Sequence, residues 1–256
     1  MKALVVTGLS KSFGGVQAVD DLSFSVGEHE AVGLIGPNGA GKTTVFNLLT
    51  GFYRPDSGAI EFFGKSITHM PPFHAVSLGI ARTFQNIRLF ASLSVLKNVL
   101  VPILGRIGYG PHAAIFQSRK YREAEEAAVD KAMKLLDFFH LSHKADLLAV
   151  SLPYGEQRRL ELVRALAADP KLLLIDEPGA GMNPREVRGL LDEIREVKKS
   201  FRLTILVIEH QMGLIMNLAD RLVVLDFGEK IAEGTPEEIR KDRKVIEAYL
   251  GEEFTC

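Results

Sequence analysis

The most constraining feature of this sequence is an octet at residues 36–43, which reads Gly-Pro-Asn-Gly-Ala-Gly-Lys-Thr. Its glycines keep side chains away from the backbone, so consecutive N–H groups can wrap a phosphate. Residues 31–35 are a predicted buried strand before the octet, and residues 43–49 are a predicted helix after it. The helix N-terminus would then direct its positive dipole at the anion. This context predicts a loop that holds a nucleoside triphosphate.

Two side chains at the end of the octet have the chemistry that a bound triphosphate requires. Lys42 would place a compact positive charge on the β- and γ-phosphates. The Thr43 hydroxyl is a suitable ligand for Mg²⁺. The predicted nucleotide-binding residues of this region are Gly36, Pro37, Asn38, Gly39, Ala40, Gly41, Lys42, Thr43 and Thr44.

A second predicted buried strand, residues 172–175, is followed by Asp176 and Glu177. Ligands of open α/β sheets bind at the carboxyl ends of strands, so we expect both acids near the phosphate loop. Side chains alternate along a strand, and the two acids should therefore point to different faces. Asp176 is placed to hold Mg²⁺, directly or through water, and Glu177 to orient the attacking water or accept its proton.

Two further polar residues are placed near strand ends but carry little information alone. His210 follows the predicted strand at residues 204–208 and could donate a hydrogen bond to a γ-phosphate. A lone histidine there is more often a surface or capping residue. Gln85 could bring its side-chain oxygen to the metal or to water. The predicted metal ligands are Thr43, Gln85 and Asp176.

Composition limits the class of protein. The 256 residues are 46% hydrophobic and 25% charged, which is typical of a soluble globular protein with one large domain or two small ones. A net charge of −1 argues against a general polyanion-binding surface, and we expect no nucleic-acid partner. No apolar run is long enough to cross a bilayer, so any membrane role would need a partner. The single cysteine, Cys256, excludes a disulfide within this sequence.

The order of predicted elements indicates an α/β fold. Residues 4–26 have the turn residues and weak alternation of antiparallel strands, whereas residues 95–148 have helical character. Strands then return at helical intervals, which predicts right-handed crossovers and a mainly parallel sheet. These later predicted strands cover residues 171–175, 203–208 and 221–225.

The order of these motifs along the chain resembles that of the ATP-binding-cassette (ABC) ATPases. In that family, a Leu-Ser-Gly-Gly-Gln signature opens a helix before the acid pair, and residues 152–156 here read Leu-Pro-Tyr-Gly-Glu. The resemblance covers the whole chain and implies one domain with a P-loop NTPase (RecA-like) core. The core would comprise residues 1–90 and 154–256, with an N-terminal antiparallel β-subdomain and an inserted α-helical subdomain at about residues 91–153.

The resemblance also implies that two such domains pack head to tail around ATP and Mg²⁺. Tyr154, Gly155 and Glu156 would then contact ATP held by the phosphate loop of the partner. Phe13 matches the aromatic that stacks on adenine, although read alone it fits a core position better. Residues 180–183 match the loop that crosses between the two sites. The implied catalytic residues are Lys42, Glu177 and His210.

Departures from the family pattern point to one branch. Pro153 replaces the signature serine and removes a hydroxyl and an N–H, while Asn183 replaces an aspartate. The signature segment and residues 82–90 resemble the ATP-binding subunits of branched-chain (hydrophobic) amino-acid importers, which tend to have alanine at position 153. Proline at this position fits a complex of two unlike ATPase subunits.

This branch implies a peripheral protein at the cytoplasmic face of the cell membrane. Its partners would be transmembrane permease subunits, a second identical or different ATPase subunit and, indirectly, an external substrate-binding protein. Gln85 matches the residue that links the metal site to the permease. The surface that recognises the substrate would lie outside this chain.

Three alternatives remain open from the sequence. An exporter ATPase, for example for lipopolysaccharide, has a closely related pattern. A non-transport ABC ATPase of DNA repair or ribosomes tends to have coiled-coil insertions, tandem cassettes or basic arms, and this sequence has none of them. A guanine-nucleotide switch would require an Asn-Lys-x-Asp segment, and the sequence contains no Asn-Lys pair.

Overall fold

The computed structural model describes residues 1–106, 119–209 and 212–253, and these contain two sheets and a helical region. His210 and Cys256 lie outside the described residues. The strands are β1 (Lys2–Phe13), β2 (Val16–Gly27), β3 (Ala31–Ile35), β4 (Ser57–Phe62), β5 (Lys65–Ser66), β6 (Ile80–Arg82), β7 (Leu172–Asp176), β8 (Thr204–Ile208), β9 (Arg221–Asp226) and β10 (Glu229–Gly234). The helices are α1 (Lys42–Leu49), α2 (Pro72–Leu78), α3 (Val95–Leu104), α4 (Arg119–Phe138), α5 (Tyr154–Ala167), α6 (Pro184–Phe201), α7 (Met212–Leu218), α8 (Pro236–Ile239) and α9 (Arg243–Glu253).

The larger sheet has six strands in the order β10-β9-β3-β8-β7-β6. Its strands are parallel except for β10, which pairs antiparallel with β9 through a hairpin turn at Phe227 and Gly228. The predicted mainly parallel sheet is therefore confirmed. The edge strand β6 was not predicted, because three residues are too few to show an alternating pattern.

The smaller sheet is antiparallel and has the order β2-β1-β4-β5. Its first two strands form the predicted N-terminal antiparallel pair, in which Val5 lies opposite Ser25. Leu22, Phe24 and Val26 of β2 are all buried, as their shared face predicts. The antiparallel N-terminal unit is thus also confirmed.

The larger sheet separates two hydrophobic clusters, and strand alternation decides which residue joins each cluster. In β3, Val32 and Leu34 belong to one cluster, whereas Ala31 and Ile35 belong to the other. The residues of β7 and β8 alternate in the same way. Because both faces are covered, every residue of β3, β7 and β8 is buried.

Helices α3, α4 and α5 pack together and join one of these clusters. The apolar stripe of α4 is buried, and it consists of Ala128, Ala132, Leu135, Leu136 and, just beyond the helix, Phe139. Among the residues that the structure describes, no helix is both long and apolar enough to span a bilayer. The boundaries of the inserted subdomain remain a prediction.

A buried amide fixes the chain where it enters α3. The side chain of Asn98 is fully buried and accepts a hydrogen bond from the N–H of Phe90 at 2.9 Å. Its NH₂ group donates to the carbonyl oxygens of Phe90 and Ser94, at 3.1 and 3.0 Å. One side chain therefore satisfies several backbone groups of the turn at residues 90–94.

We predict that Asn98→Ala lowers the free energy of unfolding by about 2 kcal/mol, because it removes the hydrogen bonds that the fully buried amide makes to Phe90 and Ser94. Urea unfolding followed by circular dichroism measures the change. Asn217→Ala is the matched control, since the exposed side chain of Asn217 donates to the carbonyl of Gly213. The control should change stability by less than about 0.5 kcal/mol. Equal effects of the two substitutions would contradict the role of Asn98.

Candidate functional site

The predicted phosphate loop connects the end of β3 to the start of α1, as its sequence context requires. Gly39 and Gly41 have φ values of 78° and 96°, in the left-handed region. A Cβ atom on Gly36 would lie 2.1 Å from the carbonyl oxygen of Leu225, and one on Gly41 would lie 2.2 Å from that of Ala18. Close packing therefore requires glycine at positions 36 and 41, and the left-handed backbone favours it at positions 39 and 41.

Lys42 lies at the first position of α1 and is only 7% exposed. Its Nζ atom donates to the carbonyl oxygens of Gly36 and Pro37, at 2.7 and 2.6 Å. The ammonium group is thus held inside the curve of the loop. No side chain caps α1, so its first-turn N–H groups point toward the same loop. This arrangement is suited to bind a phosphate anion.

The parallel register brings the acid pair to the same edge of the sheet. Leu34 of β3 pairs with Ile208 of β8, and Ile208 also pairs with Asp176 of β7. Asp176 therefore lies at the edge of the sheet where β3 leads into the phosphate loop. The predicted convergence of the two motifs is present in the structure.

Asp176 is 3% exposed and forms an ion pair with Arg82, whose Nη2 atom lies 2.8 Å from Oδ2. Arg82 also donates from Nη1 to Oδ1 of Asn47 in α1, at 2.7 Å. Burial raises the pKa of the Asp176 carboxyl, and the hydrogen bond and charge of Arg82 oppose that shift. Sequence reasoning missed Arg82 and Asn47, because nothing local marks an arginine as the partner of an acid 94 residues away.

Thr43, Gln85 and Asp176, the predicted metal ligands, line one cavity of about 330 Å³. Hydroxyl, amide and carboxylate oxygens are the donors that Mg²⁺ prefers. Within the described ranges there is no cluster of His, Cys, Asp and Glu large enough to hold a metal alone. The residues therefore fit Mg²⁺ that takes its remaining ligands from phosphates and water, as it does with nucleotides.

Glu177 follows the last residue of β7, so strand alternation does not set the direction of its side chain, and the opposite facing of the two acids stays a prediction. Its φ of 45° is in the left-handed region and ends β7, while its N–H donates to the carbonyl of Ile208 at 2.9 Å. The side-chain amide of Gln85 donates from Nε2 to Oε2 of Glu177 at 2.7 Å. The candidate base and the candidate metal ligand thus contact each other directly.

The signature segment packs against its own chain. Helix α5 begins at Tyr154 after Pro153, whose missing N–H is tolerated at a helix start. The Tyr154 hydroxyl donates to the carbonyl of Ala180 at 3.0 Å. Glu156 pairs with Lys144, at distances of 2.6 and 2.5 Å from its two oxygens. The predicted contacts of Tyr154, Gly155 and Glu156 with the nucleotide of a partner remain a prediction.

Phe13 lies at the end of β1 and is 41% exposed, so the alternative that it fills the core is wrong. Its ring packs edge to face on Tyr53, with 5.0 Å between centroids, and the Nζ atom of Lys11 lies 5.4 Å from its centroid. An exposed aromatic ring can stack on a base, so the role of Phe13 at adenine remains a prediction. The remaining predicted catalytic residue, His210, lies outside the described residues.

Comparison with protein families gives two matches along the chain. A family model described as ABC transporter matches residues 19–180. A second model, described as branched-chain amino acid ATP-binding cassette transporter, matches residues 229–255. Together they cover most of the chain, including the phosphate loop and the acid pair.

Relatives and solved structures match over nearly the full length. The High-affinity branched-chain amino acid transport ATP-binding protein LivG of Salmonella typhimurium is 43% identical over 97% of this chain and 98% of its own. The corresponding protein BraF of Pseudomonas aeruginosa is 42% identical with the same coverage. A crystal structure of an ATP-binding cassette of an ABC transporter in its ADP conformation is 36% identical, with a TM-score of 0.85, and covers 98% of this chain and 99% of that one.

We predict that Arg82→Gln lowers the free energy of unfolding by about 3 kcal/mol at about pH 7.5, because it leaves a buried carboxylate unpaired. The pKa of Asp176 is already raised in the folded protein, and loss of Arg82 would raise it further. An acid whose pKa is higher in the folded protein than in the unfolded protein contributes stability at low pH. That contribution is lost as the pH rises through the folded-state pKa. The deficit of the variant should therefore shrink at about pH 5.5.

Urea unfolding of parent and variant at both pH values measures this deficit. Arg195→Gln is the matched control, since Arg195 forms an exposed pair with Asp192 at 2.6 Å. The control should lose less than about 1 kcal/mol at either pH. A deficit of Arg82→Gln that grows on acidification would show that the Asp176 charge does not cause it.

Proposed function

This chain belongs to the ABC transporter family of ATPases, and we propose that it powers the import of branched-chain amino acids. The observation that carries the proposal is full-length identity of 42–43% to proteins named for that transport. The match of residues 229–255 to a family model of the same branch supports it independently. The chain is an ATPase with a P-loop NTPase fold, as its family, its relatives and its similarity to solved cassettes show.

The proposed chemistry follows from the side chains around the cavity. Residues 36–44 would bind the phosphates of ATP, with Lys42 on the β- and γ-phosphates. Thr43, Gln85 and Asp176 would hold Mg²⁺, which when bound would neutralise charge on the phosphate oxygens. Glu177 would orient the attacking water and accept its proton. His210 would donate a hydrogen bond to the γ-phosphate.

The ATP site would be completed by a second ATPase subunit, identical or different, packed head to tail. The start of α5, at Tyr154, Gly155 and Glu156, would then meet the nucleotide of the partner, and Phe13 would stack on adenine of its own. Pro153 at the start of α5 has no N–H to offer a phosphate. This half of the composite site is therefore expected to be the weaker one in a complex of unlike subunits.

Permease docking is supported by the surface beside Gln85. The cavity that contains Gln85 is also lined by the exposed side chains of Phe52 and Tyr53. The guanidinium of Arg88 lies over the ring of Phe84, 4.4 Å from its centroid. Aromatic and arginine side chains are enriched at protein interfaces, so this surface suits a short helix of a membrane permease. The protein would then be peripheral, at the cytoplasmic face of the membrane.

Affinity isolation of the tagged chain from its native membrane tests the proposed function. We expect stoichiometric recovery of permease subunits and of the second ATPase subunit. ATP hydrolysis by the isolated complex should rise when a binding protein loaded with leucine is added. Recovery of permease subunits that export lipopolysaccharide, or of no membrane protein, would overturn the proposed import function.

We predict that Glu177→Gln reduces ATP turnover by about 100-fold or more, because the amide cannot accept a proton. ATP affinity should stay within about twofold, since the phosphate loop is unchanged. Phosphate release and titration calorimetry measure the two quantities, and an ATP-bound dimer should accumulate on gel filtration. Lys42→Ala is the opposite control and should weaken ATP binding itself. Turnover of Glu177→Gln at the parent rate would exclude Glu177 as the base.

A further inference from the structure

The side chain of Tyr154 lies where two loops of the site approach the same helix. One loop is residues 84–88, which contains Gln85, and the other is residues 180–182, which follows Glu177. Both loops contact the first turns of α5 through hydrogen bonds of Tyr154 and Arg158. In the family signature, a glycine stands at the position of Tyr154, and a glycine could not make these contacts.

The Tyr154 hydroxyl uses both of its hydrogen-bonding capacities. It donates to the carbonyl oxygen of Ala180 at 3.0 Å and accepts from Nη2 of Arg158 at 3.0 Å. The ring also limits the space beside the loop, because a Cβ atom on Gly181 would lie 3.2 Å from it. Tyr154 therefore fixes the loop at residues 180–182 against α5.

Arg158 holds the other loop, residues 84–88, through the backbone carbonyl groups of that loop. Its guanidinium is buried and donates to the carbonyl of Phe84 at 2.7 Å and to the carbonyl of Gln85. It also pairs with Glu161 at 3.4 Å, and Glu161 accepts from the N–H of Arg88 at 3.2 Å. Both charged residues are at most 5% exposed, so their positions are strongly constrained.

The contacts form a closed series that includes Glu177, the residue of the candidate catalytic carboxylate. Gln85 donates from Nε2 to Oε2 of Glu177 at 2.7 Å, and the N–H of Ala180 donates to the backbone carbonyl of Glu177 at 3.2 Å. The series runs from Glu177 through Ala180, Tyr154, Arg158 and Gln85 back to Glu177. Tyr154→Phe removes the hydroxyl from this series and keeps the aromatic side chain.

We propose that Tyr154 is a positioning residue for ATP hydrolysis. Its hydroxyl fixes the loop of Gln85 relative to residues 180–182, and this pair of loops sets the orientation of the Glu177 carboxylate. The inference rests on the proposed role of Glu177 as the base. It assigns to Tyr154 a task within its own subunit, separate from any contact with the nucleotide of a partner.

Tyr154→Phe removes the hydroxyl and keeps the ring, and its effect is measured on the full-length chain. Hydrogen exchange should become about fivefold faster in residues 84–88 and in residues 180–182 together, since the hydrogen bonds of the hydroxyl to Ala180 and to Arg158 are both lost. The kcat for Mg·ATP should fall about fivefold while KM stays within about twofold, because the phosphate loop that binds Mg·ATP is unchanged. A residue with only a structural role would not produce this split between kcat and KM.

Tyr121→Phe is the matched control, since Tyr121 lies in α4 and its hydroxyl donates to Glu125. It should leave both loops and kcat unchanged. Faster exchange confined to residues 180–182, or an unchanged kcat for Tyr154→Phe, overturns the proposal. Failure of the Glu177 assignment is recognised separately, by parent-rate hydrolysis in Glu177→Gln, while exchange in residues 84–88 still reports on the Tyr154 contact.

Discussion

Parallel pairing of the central strands is the constraint on which the rest of the structure depends. Parallel strands leave the sheet at the same edge, so the segments that follow them meet there regardless of their separation in sequence. The line of partners from Leu34 through Ile208 to Asp176 puts the metal-binding candidate beside the phosphate loop. The loop in turn fits only because Gly36 and Gly41 allow close approach of neighbouring carbonyl groups. Sheet register and glycine packing together define the cavity.

Buried charges then hold the surrounding side chains in fixed positions. Arg82 connects Asp176 of β7 to Asn47 of α1, so the candidate metal-binding acid and the helix of the phosphate loop share one guanidinium. Burial raises the pKa values of Asp176 and Glu161, and a nearby arginine opposes each shift. Such pairs contribute little net stability but are costly to break. Their effect here is to fix geometry around the site.

Local patterns were sufficient to predict the phosphate loop, the acid pair and the mainly parallel sheet. Each of these depends on residues that are adjacent in sequence, or on a period of two along a strand. The contacts of Arg82 and Arg158 were not predicted, because Arg82 reaches an acid 94 residues away and Arg158 reaches a backbone carbonyl 74 residues away. Phe13 was also read more readily as a core residue, although it is exposed at the end of a long hairpin strand. The hydrophobic character of a side chain does not show whether its end of the strand lies inside or outside the core.

The sequence alone determined the phosphate-binding chemistry, the acids that accompany it and the family to which the chain is similar. These follow from residue type and order. Backbone amides, an ammonium group and carboxylates have the same chemistry toward a bound phosphate in any chain that arranges them in this way. Only the tertiary structure decided that Gln85 contacts Glu177 and that the Tyr154 hydroxyl contacts Ala180 and Arg158. Hydrogen bonds depend on distances of about 3 Å, and folding sets such distances through packing that no local pattern encodes.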